Sequence, residues 1–474
     1  MIRLTLREIA DATQGYLVRE EDALLCIDTV VTDTRNMEDQ ALFVALKGDN
    51  FDAHLFLGAA IAGGAKALLV EQSNVLDIAM IVVTDTRLAL GALSAYVRHK
   101  IKGLTCVAIT GSNGKTTCKE LLSAVLGVHC QNEDALLATA SNFNNDIGVP
   151  LTLLRLTQKT RFAVLELGAN HPGEIDYTAQ LVQAKVALIN NVMAAHLQGF
   201  GSLVGVASSK GEIWHHLQAD GTAVVNLDAD FSQTYLTQLK VQKQAVFTFS
   251  QKVAGANFFA DGIHFDAQGN ANFTLHVNTP LCTAIQSIKL NIPGQHNVSN
   301  ALAVACMAIA LGCSLDEIAK GLIQLQSVAG RVTRIAVNAL ITVIDDTYNA
   351  NSASVKAAVD VLCATPTEQV LILSDMGELG EHTELEHKKV GEYAARQGVA
   401  LLLGVGVHSL HTVNAFNTHC SKQQKAHHFA NKVQLQVFIK KYLDENKHLI
   451  TLLVKGSRSA KMEEIVAFIK KLKI

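Results

Sequence analysis

Short apolar runs separated by polar, glycine-containing clusters recur along the whole chain. Within residues 1–98, "ALFVAL" (Ala41 to Leu46) reads as a buried strand and "LFLGAAIAGGA" (55–65) as a helix, which predicts a small α/β unit. Thr5 and Glu8 stand at capping-box spacing and predict a helix start near the N-terminus. After "YVRHKIKG" the pattern resets. "LTCVAIT", "FAVLELG", "VALINNV" and "TAVVNLD" read as strands with helical segments between them, as βαβ units around a mainly parallel sheet require. The last helix of this unit contains "NALAVACMAIALG", and a second capping-box pair, Ser314 and Glu317, predicts a further helix to about Gln326. From Gly330 onwards, strands at "ITVID", "VLILSD", "LLLGVG" and "ITLLVKG" repeat the alternation.

The pattern therefore predicts an α/β chain, and 474 residues exceed what one core usually holds. We divide it at residues 1–98, 99–328 and 329–474. Charge changes this picture little: 40 Lys+Arg against 43 Asp+Glu argue against binding to nucleic acid or a membrane surface by bulk electrostatics. The 9 cysteines are scattered, with no CxxC pair, so neither a disulfide framework nor a cysteine zinc site is expected. The N-terminus lacks a secretory pattern, and the most continuous apolar run, Ala301 to Leu311, falls well short of the roughly 20 residues that span a bilayer. A cytoplasmic protein without membrane insertion is the expectation.

Candidate chemistry lies where such strands end, since ligands of open α/β sheets sit beyond the carboxyl ends. "TGSNGKTT" follows an apolar strand and opens a helix. It has the short phosphate-loop form GxxGKT at Gly111, Gly114, Lys115 and Thr116, although Ile109 stands where the full GxxxxGK[ST] pattern needs glycine. Backbone N–H groups from Gly111 through Ser112, Asn113 and Gly114 to Thr117 can approach a phosphate; Lys115 can reach the terminal phosphates, and Thr116 can ligate Mg²⁺. Glu166 ends a neighbouring strand, either as a metal ligand or as a solvated strand-end carboxylate. Asn170 and His171 follow it, fit for substrate contact or for loop capping. His196 sits past a strand in a glycine-rich segment, and Lys210 in a helical stretch reads by itself as a surface lysine. Asn297 and Asn300 fit helix capping. Arg331 lies between the second and third units, either facing phosphate or as a surface hinge residue. "DDTYNANS" offers Asp346, Asn349 and Asn351 for a ribose or for ordinary turns, and Lys455 and Arg458 stand in a strand-turn-helix pattern that an anion would suit.

Taken in order, "TGSNGKTT", "NFNNDIGVPLTLL", "LELGANHPGEI", "AHLQGFGS", "SKGEI", "GQHNVSNALA", "DDTYNANS", "DMGELG" and "LVKGSRS" resemble the Mur ligases, ATP-dependent amide-bond-forming enzymes of peptidoglycan precursor synthesis. The likeness spans nearly the whole chain and is strongest to the members that add the final dipeptide. It implies a UDP-sugar-binding N-terminal domain, a central ATPase domain and a C-terminal Rossmann-like domain closing over the nucleotide. It implies ATP and Mg²⁺, with UDP-N-acetylmuramoyl-tripeptide and D-alanyl-D-alanine as substrates; a monomer is the separate expectation. Glu166 and His196 become magnesium ligands, and Lys210 becomes a lysine carbamylated to hold a second Mg²⁺. Asn297 and Arg331 become nucleotide contacts and Asp346 a ribose or adenine-side partner. The segment "DTRNMEDQALFVALKGDNFDAH" looks like the family's uridine-nucleotide region, with Asp33, Thr34, Arg35, Lys47 and His54 as contacts. Asn145, Asn170 and His171 would also meet substrate, while Asn349, Asn351, Asp375, Lys455 and Arg458 would line the closing face. Two positions depart from the expected pattern: Ser352 where proline is frequent, and Ser374 where glycine is. A DNPR motif, usual in the diamino-acid-adding members, is absent, and the uridine-like segment argues against a folylpolyglutamate synthase.

Overall fold

A computed structural model describes residues 1–48, 51–326 and 328–472. Three principal sheets follow one another along the chain. The first has the order Tyr16–Leu17, Ala79–Val82, Ala67–Val70, Leu42–Val44, Val30–Val31. Its Leu42–Val44 strand is shorter than the apolar run that announced it, because the Leu46 N–H turns back onto the Val44 carbonyl at 3.0 Å. The expected helix over 55–65 contracts to Leu57–Ala62, preceded by a 3₁₀ turn, Ala53–Phe56, that the Asp52 carboxylate caps. The Thr5/Glu8 capping box forms as expected and opens Leu6–Thr13.

The helix Thr86–Lys100 crosses the boundary placed after residue 98. Its Leu90, Leu93 and Val97 belong to one buried cluster that also takes in Leu42 and Leu69 of the first sheet and Ala108, Leu165 and Ala187 of the second. The first two sheets thus share apolar packing.

The second sheet has nine strands, in the order Leu136–Ala138, Phe162–Glu166, Thr105–Thr110, Val186–Ile189, Thr222–Asn226, Ala245–Ser250, Phe258–Phe265, Asn270–Asn278, Thr283–Pro293. Neighbours are parallel up to Phe258–Phe265, and the last two strands are added antiparallel. The sequence pattern showed the four buried parallel strands but not this extension. In Asn270–Asn278 buried and half-buried residues alternate, so no continuous apolar run marks it. Thr105–Thr110 lies between Phe162–Glu166 and Val186–Ile189, so the chain passes from one side of it to the other. That is a topological switch point, where the carboxyl ends of the strands open a crevice.

Two helices cover this sheet beside the crevice: Lys115–Cys130 and the almost wholly buried Gln295–Ala310. The Ser314/Glu317 box opens the next helix, which stops at Leu322 rather than at Gln326. Gln324 N–H closes onto Gly321 O at 3.1 Å, and Asn291 Nδ2 takes the Ile323 carbonyl at 2.6 Å, so the terminal carbonyls leave the helical ladder.

The third sheet runs Thr333–Ala336, Ile341–Asp346, Ile450–Lys455, Glu368–Ser374, Leu401–Val405, Lys425–Phe429, parallel except for its first strand. Buried clusters lie on both of its faces, as a helix-covered parallel sheet demands. Ser352 is the first residue of the helix Ser352–Cys363, a position that also suits proline, so this departure leaves the loop geometry intact.

Candidate active site

The strand Thr105–Thr110 delivers the chain into the loop 111–114, and the helix Lys115–Cys130 leaves it. Gly114 has φ +80, and a Cβ there would stand 2.4 Å from Asn190 Nδ2 and 2.6 Å from Asn300 Oδ1. Only glycine fits so close an approach. A set of asparagines holds the loop from beneath. Asn190 Nδ2 donates to Asn113 O at 3.0 Å and to Asn300 Oδ1 at 2.9 Å, and Asn191 Nδ2 donates to Asn113 O at 3.0 Å. Asn226 Nδ2 donates in turn to Asn190 O at 2.9 Å. Asn190, Asn191 and Asn226 were missed at the sequence level, because an asparagine at a strand end looks the same whether it turns the chain or supports a neighbour.

This support corrects two expectations. The N–H groups of Ser112 and Asn113 donate to Asn191 O and Asn191 Oδ1 at 3.0 and 2.9 Å, so these amides brace the loop and are not open to an anion. The helix start at Lys115, Thr116 and Thr117 keeps the N–H groups that have no partner within a helix. Asn297, expected at a nucleotide, is buried instead and spends its amide on Asn300 Nδ2 and Pro293 O.

Positive charge converges above the loop. Lys210 is buried and Lys115 half-buried, and Arg331 reaches Thr116 Oγ1 at 2.9 Å while its guanidinium lies 4.3 Å over the Tyr348 ring. Burial pushes Lys115 down to about 8, opposed by Glu166 and reinforced by Arg331. Burial and the charge of Lys115 push Lys210 down to about 7. Among the described residues no carboxylate pairs with Lys210 within 4.0 Å. Glu166 receives Thr116 Oγ1 on Oε2 at 3.2 Å, while its Oε1 is buried without a hydrogen bond. His196 has φ 55 and presents Nδ1 2.6 Å from Glu378 Oε2, off the line of a hydrogen bond.

The third sheet closes the other wall. Asn113 and Asn351 exchange amide hydrogen bonds of 3.2 and 2.8 Å. Lys455 and Asp346 form a buried pair at 2.5 Å, and Lys455 also donates to Asn349 O at 2.9 Å. Burial raises the Asp346 carboxyl and Lys455 opposes the rise. Asp346 is therefore already engaged by a cation. Between the walls lies a cleft of about 750 Å³ whose lining includes Asn145, Asn170, Lys210, His296 and Lys455. The half-buried His296 imidazole, pushed down to about 4 by desolvation and then by Lys455, is neutral.

Other expected residues lie apart from this cleft. His171 pairs with Glu174 at the surface, and Arg458 pairs with Glu463. Asp375 accepts the N–H groups of Val407, His408 and Ser409 and so fixes a loop of the third sheet. In the front segment Arg35 pairs with Asp33, and Lys47 and Thr34 belong to its exposed or half-exposed surface. His54 uses Nδ1 on Asp52 and Nε2 on the Glu71 N–H, which leaves no ring nitrogen for a ligand. Asp49 and Asn50 of that segment lie outside the described residues.

The family models "Mur ligase middle domain" and "Mur ligase, glutamate ligase domain" match residues 109–308 and 330–458. The chain is 44% identical over 98% of both sequences to the UDP-N-acetylmuramoyl-tripeptide–D-alanyl-D-alanine ligase of Escherichia coli (strain K12). The chain belongs to the Mur ligase family. Among solved Mur ligases it is similar to MurF from Acinetobacter baumannii, at 37% identity and a TM-score of 0.91 over 99% of both chains. MurF from Thermotoga maritima in complex with ADP shares the fold, with 24% identity and a TM-score of 0.80 over 94% of this chain and 97% of that one. The loop, the cation cluster and Glu166 all fall in the matched middle domain, except Arg331, which opens the matched C-terminal one.

Proposed function

We propose that this Mur ligase joins D-alanyl-D-alanine to UDP-N-acetylmuramoyl-tripeptide, converting ATP to ADP and phosphate. The observation that carries the reading is the gathering of Lys115, Lys210 and Arg331 at a phosphate loop, with Glu166 beside Lys115. Cations gathered at a phosphate loop suit a triphosphate. Identity to the E. coli relative along the full chain supports the choice of substrates.

In the proposed reaction, a terminal carboxylate oxygen of the tripeptide attacks the γ-phosphorus and ADP leaves. The resulting acyl phosphate is attacked at its carbonyl carbon by the dipeptide amine. Phosphate departs with the original carboxylate oxygen, and the nitrogen loses a proton to give the amide. Lys115, now folded onto Gly111 O at 2.7 Å, turns to the terminal phosphates, and Arg331 offsets charge from the side of the third sheet. Glu166 Oε1 and His196 Nδ1, both without a hydrogen bond, fit a divalent cation once His196 turns from Glu378, so we assign them with Thr116 Oγ1 as the residues that hold Mg²⁺. When bound, Mg²⁺ neutralises phosphate charge. Lys210, buried with its amine readily neutral, suits carbamylation, which would turn a cation into a carboxylate for a second Mg²⁺.

In this reading residues 1–98 bind the UDP-sugar, 99–328 bind ATP, and 329–474 close over both and receive the dipeptide. Asp33, Thr34, Arg35 and Lys47 remain the uridine-side proposals, and Asn349, Asn351 and Lys455 the dipeptide-side ones. All nine cysteines are free thiols, which supports a reducing, ATP-supplied cytoplasm. One chain supplies both walls of the cleft, which supports a monomer.

The mechanism is tested with tripeptide substrate carrying ¹⁸O in its terminal carboxylate. One ¹⁸O is expected in the released phosphate. Unlabelled phosphate would contradict the acyl phosphate route.

A further inference from the structure

The far end of the phosphate-loop helix carries a second grouping of metal-binding side chains. His129 in the last turn of Lys115–Cys130 lies beside Cys313 and Glu317, which flank the start of Leu315–Leu322. One donor atom from each lies within 4.8 Å of the other two. His129 Nδ1 stands 3.3 Å from Glu317 Oε1 and 3.2 Å from Oε2. Glu317 Oε2 is committed to the capping box through Ser314 N and Oγ, at 2.7 and 3.0 Å. Oε1 takes no part in the box. The Cys313 side chain is 4% exposed, and among the described residues its thiol makes no hydrogen bond.

We propose that His129 Nδ1, Cys313 Sγ and Glu317 Oε1 form a site for one Zn²⁺, with water as the fourth ligand. Ligand bonds of about 2.0–2.3 Å hold the donor atoms of a tetrahedral site roughly 3.3–3.8 Å apart, so the His–Glu pair is already spaced for it and the thiol, within 4.8 Å of both, has to approach by no more than about 1 Å. A thiolate, an imidazole and a carboxylate select Zn²⁺ over Mg²⁺, which prefers oxygen alone. The metal replaces the thiol proton and binds the last turn of one helix to the first turn of the next. None of the three residues lines the cleft, which lies about 20 Å away along a helix rising 1.5 Å per residue. Zn²⁺ here staples the support of the phosphate loop and takes no part in the reaction.

Co²⁺ is the probe, titrated into the reduced full-length chain in excess Mg²⁺. The expected result is a near-ultraviolet thiolate-to-cobalt band that saturates at one Co²⁺ per chain and is abolished by equimolar Zn²⁺. Cys313→Ser should lack the band and Cys130→Ser should keep it. His129→Gln, at a partly exposed position, should bind at least tenfold more weakly while retaining the wild-type circular dichroism, which keeps the test decisive if Cys313→Ser fails to fold. A wild-type chain without the band, a band that survives in Cys313→Ser, or unchanged affinity in His129→Gln would each overturn the site.

Discussion

Lys210 is buried beside the half-buried Lys115, whose charge it feels, and among the described residues no carboxylate pairs with it within 4.0 Å. This is an unfavourable arrangement for the ligand-free chain. Lys210 has a folded value of about 7 against 10.5 when unperturbed. Between these values the unfolded chain holds a proton that the folded chain has released, so stability rises with pH across that window and the penalty is full below it. Lys210→Met keeps the volume and removes the charge. In CO₂-free buffer with a chelator we expect its melting temperature to exceed that of the wild type, by a margin that narrows from pH 7 to pH 10; a constant or widening margin would refute the burial of an unpaired ammonium. Lys115→Ala should fold normally yet lose turnover by roughly 10²–10³-fold, as loss of a preorganised charge at a transition state does. Steady-state phosphate release from a variant with native circular dichroism checks it. Residue types alone pointed to Lys115, Thr116 and Glu166, because a strand-turn-helix pattern and a strand tip fix their places. Lys210 did not stand out, since nothing in its local sequence distinguishes a buried lysine from a solvated one.

At the level of elements, the loop 111–114 keeps its shape through side chains from two strand ends and a helix. Asn190, Asn191 and Asn226 follow or end strands of the central sheet, and Asn300 projects from Gln295–Ala310. Asn190→Ala removes two donated bonds at a buried position, so unfolding should become easier by about 1–3 kcal/mol in urea titrations. KM for ATP should rise by on the order of tenfold, equivalent to about 1.4 kcal/mol, with KM for the dipeptide unchanged. A KM for ATP at the wild-type value would show that the loop does not need this support. Such networks are illegible in one sequence, because the partners are 77 to 110 residues apart. Buried parallel strands were legible from apolar runs such as "FAVLEL". The hairpins from Phe258 to Pro293 were not, since one of their faces meets solvent and apolar residues only alternate there. The edge strand Lys425–Phe429 was missed for a related reason: it carries Lys425, His427 and His428.

On the scale of the molecule, the cleft exists because two sheets meet across it. The Asn113–Asn351 amide pair, the Arg331–Thr116 bond and the approach of His196 to Glu378 all cross from one to the other. In the proposed reaction, closure would bring a cation from one unit to the phosphates of a ligand held by the other and would exclude water that hydrolyses an acyl phosphate. The order of the motifs announced this arrangement through their resemblance to a family. Local pattern could not, because Arg458 and Asp375 have plausible strand-end positions and yet serve loops of the third sheet. The central claim is ligation of two particular substrates. It is tested by phosphate release from ATP and Mg²⁺ with UDP-N-acetylmuramoyl-tripeptide, with and without D-alanyl-D-alanine, and by the mass of the nucleotide-linked product. Release that requires both substrates, with a product heavier by the dipeptide less water, is the predicted result. Release indifferent to either substrate, or an unchanged product mass, would contradict the account.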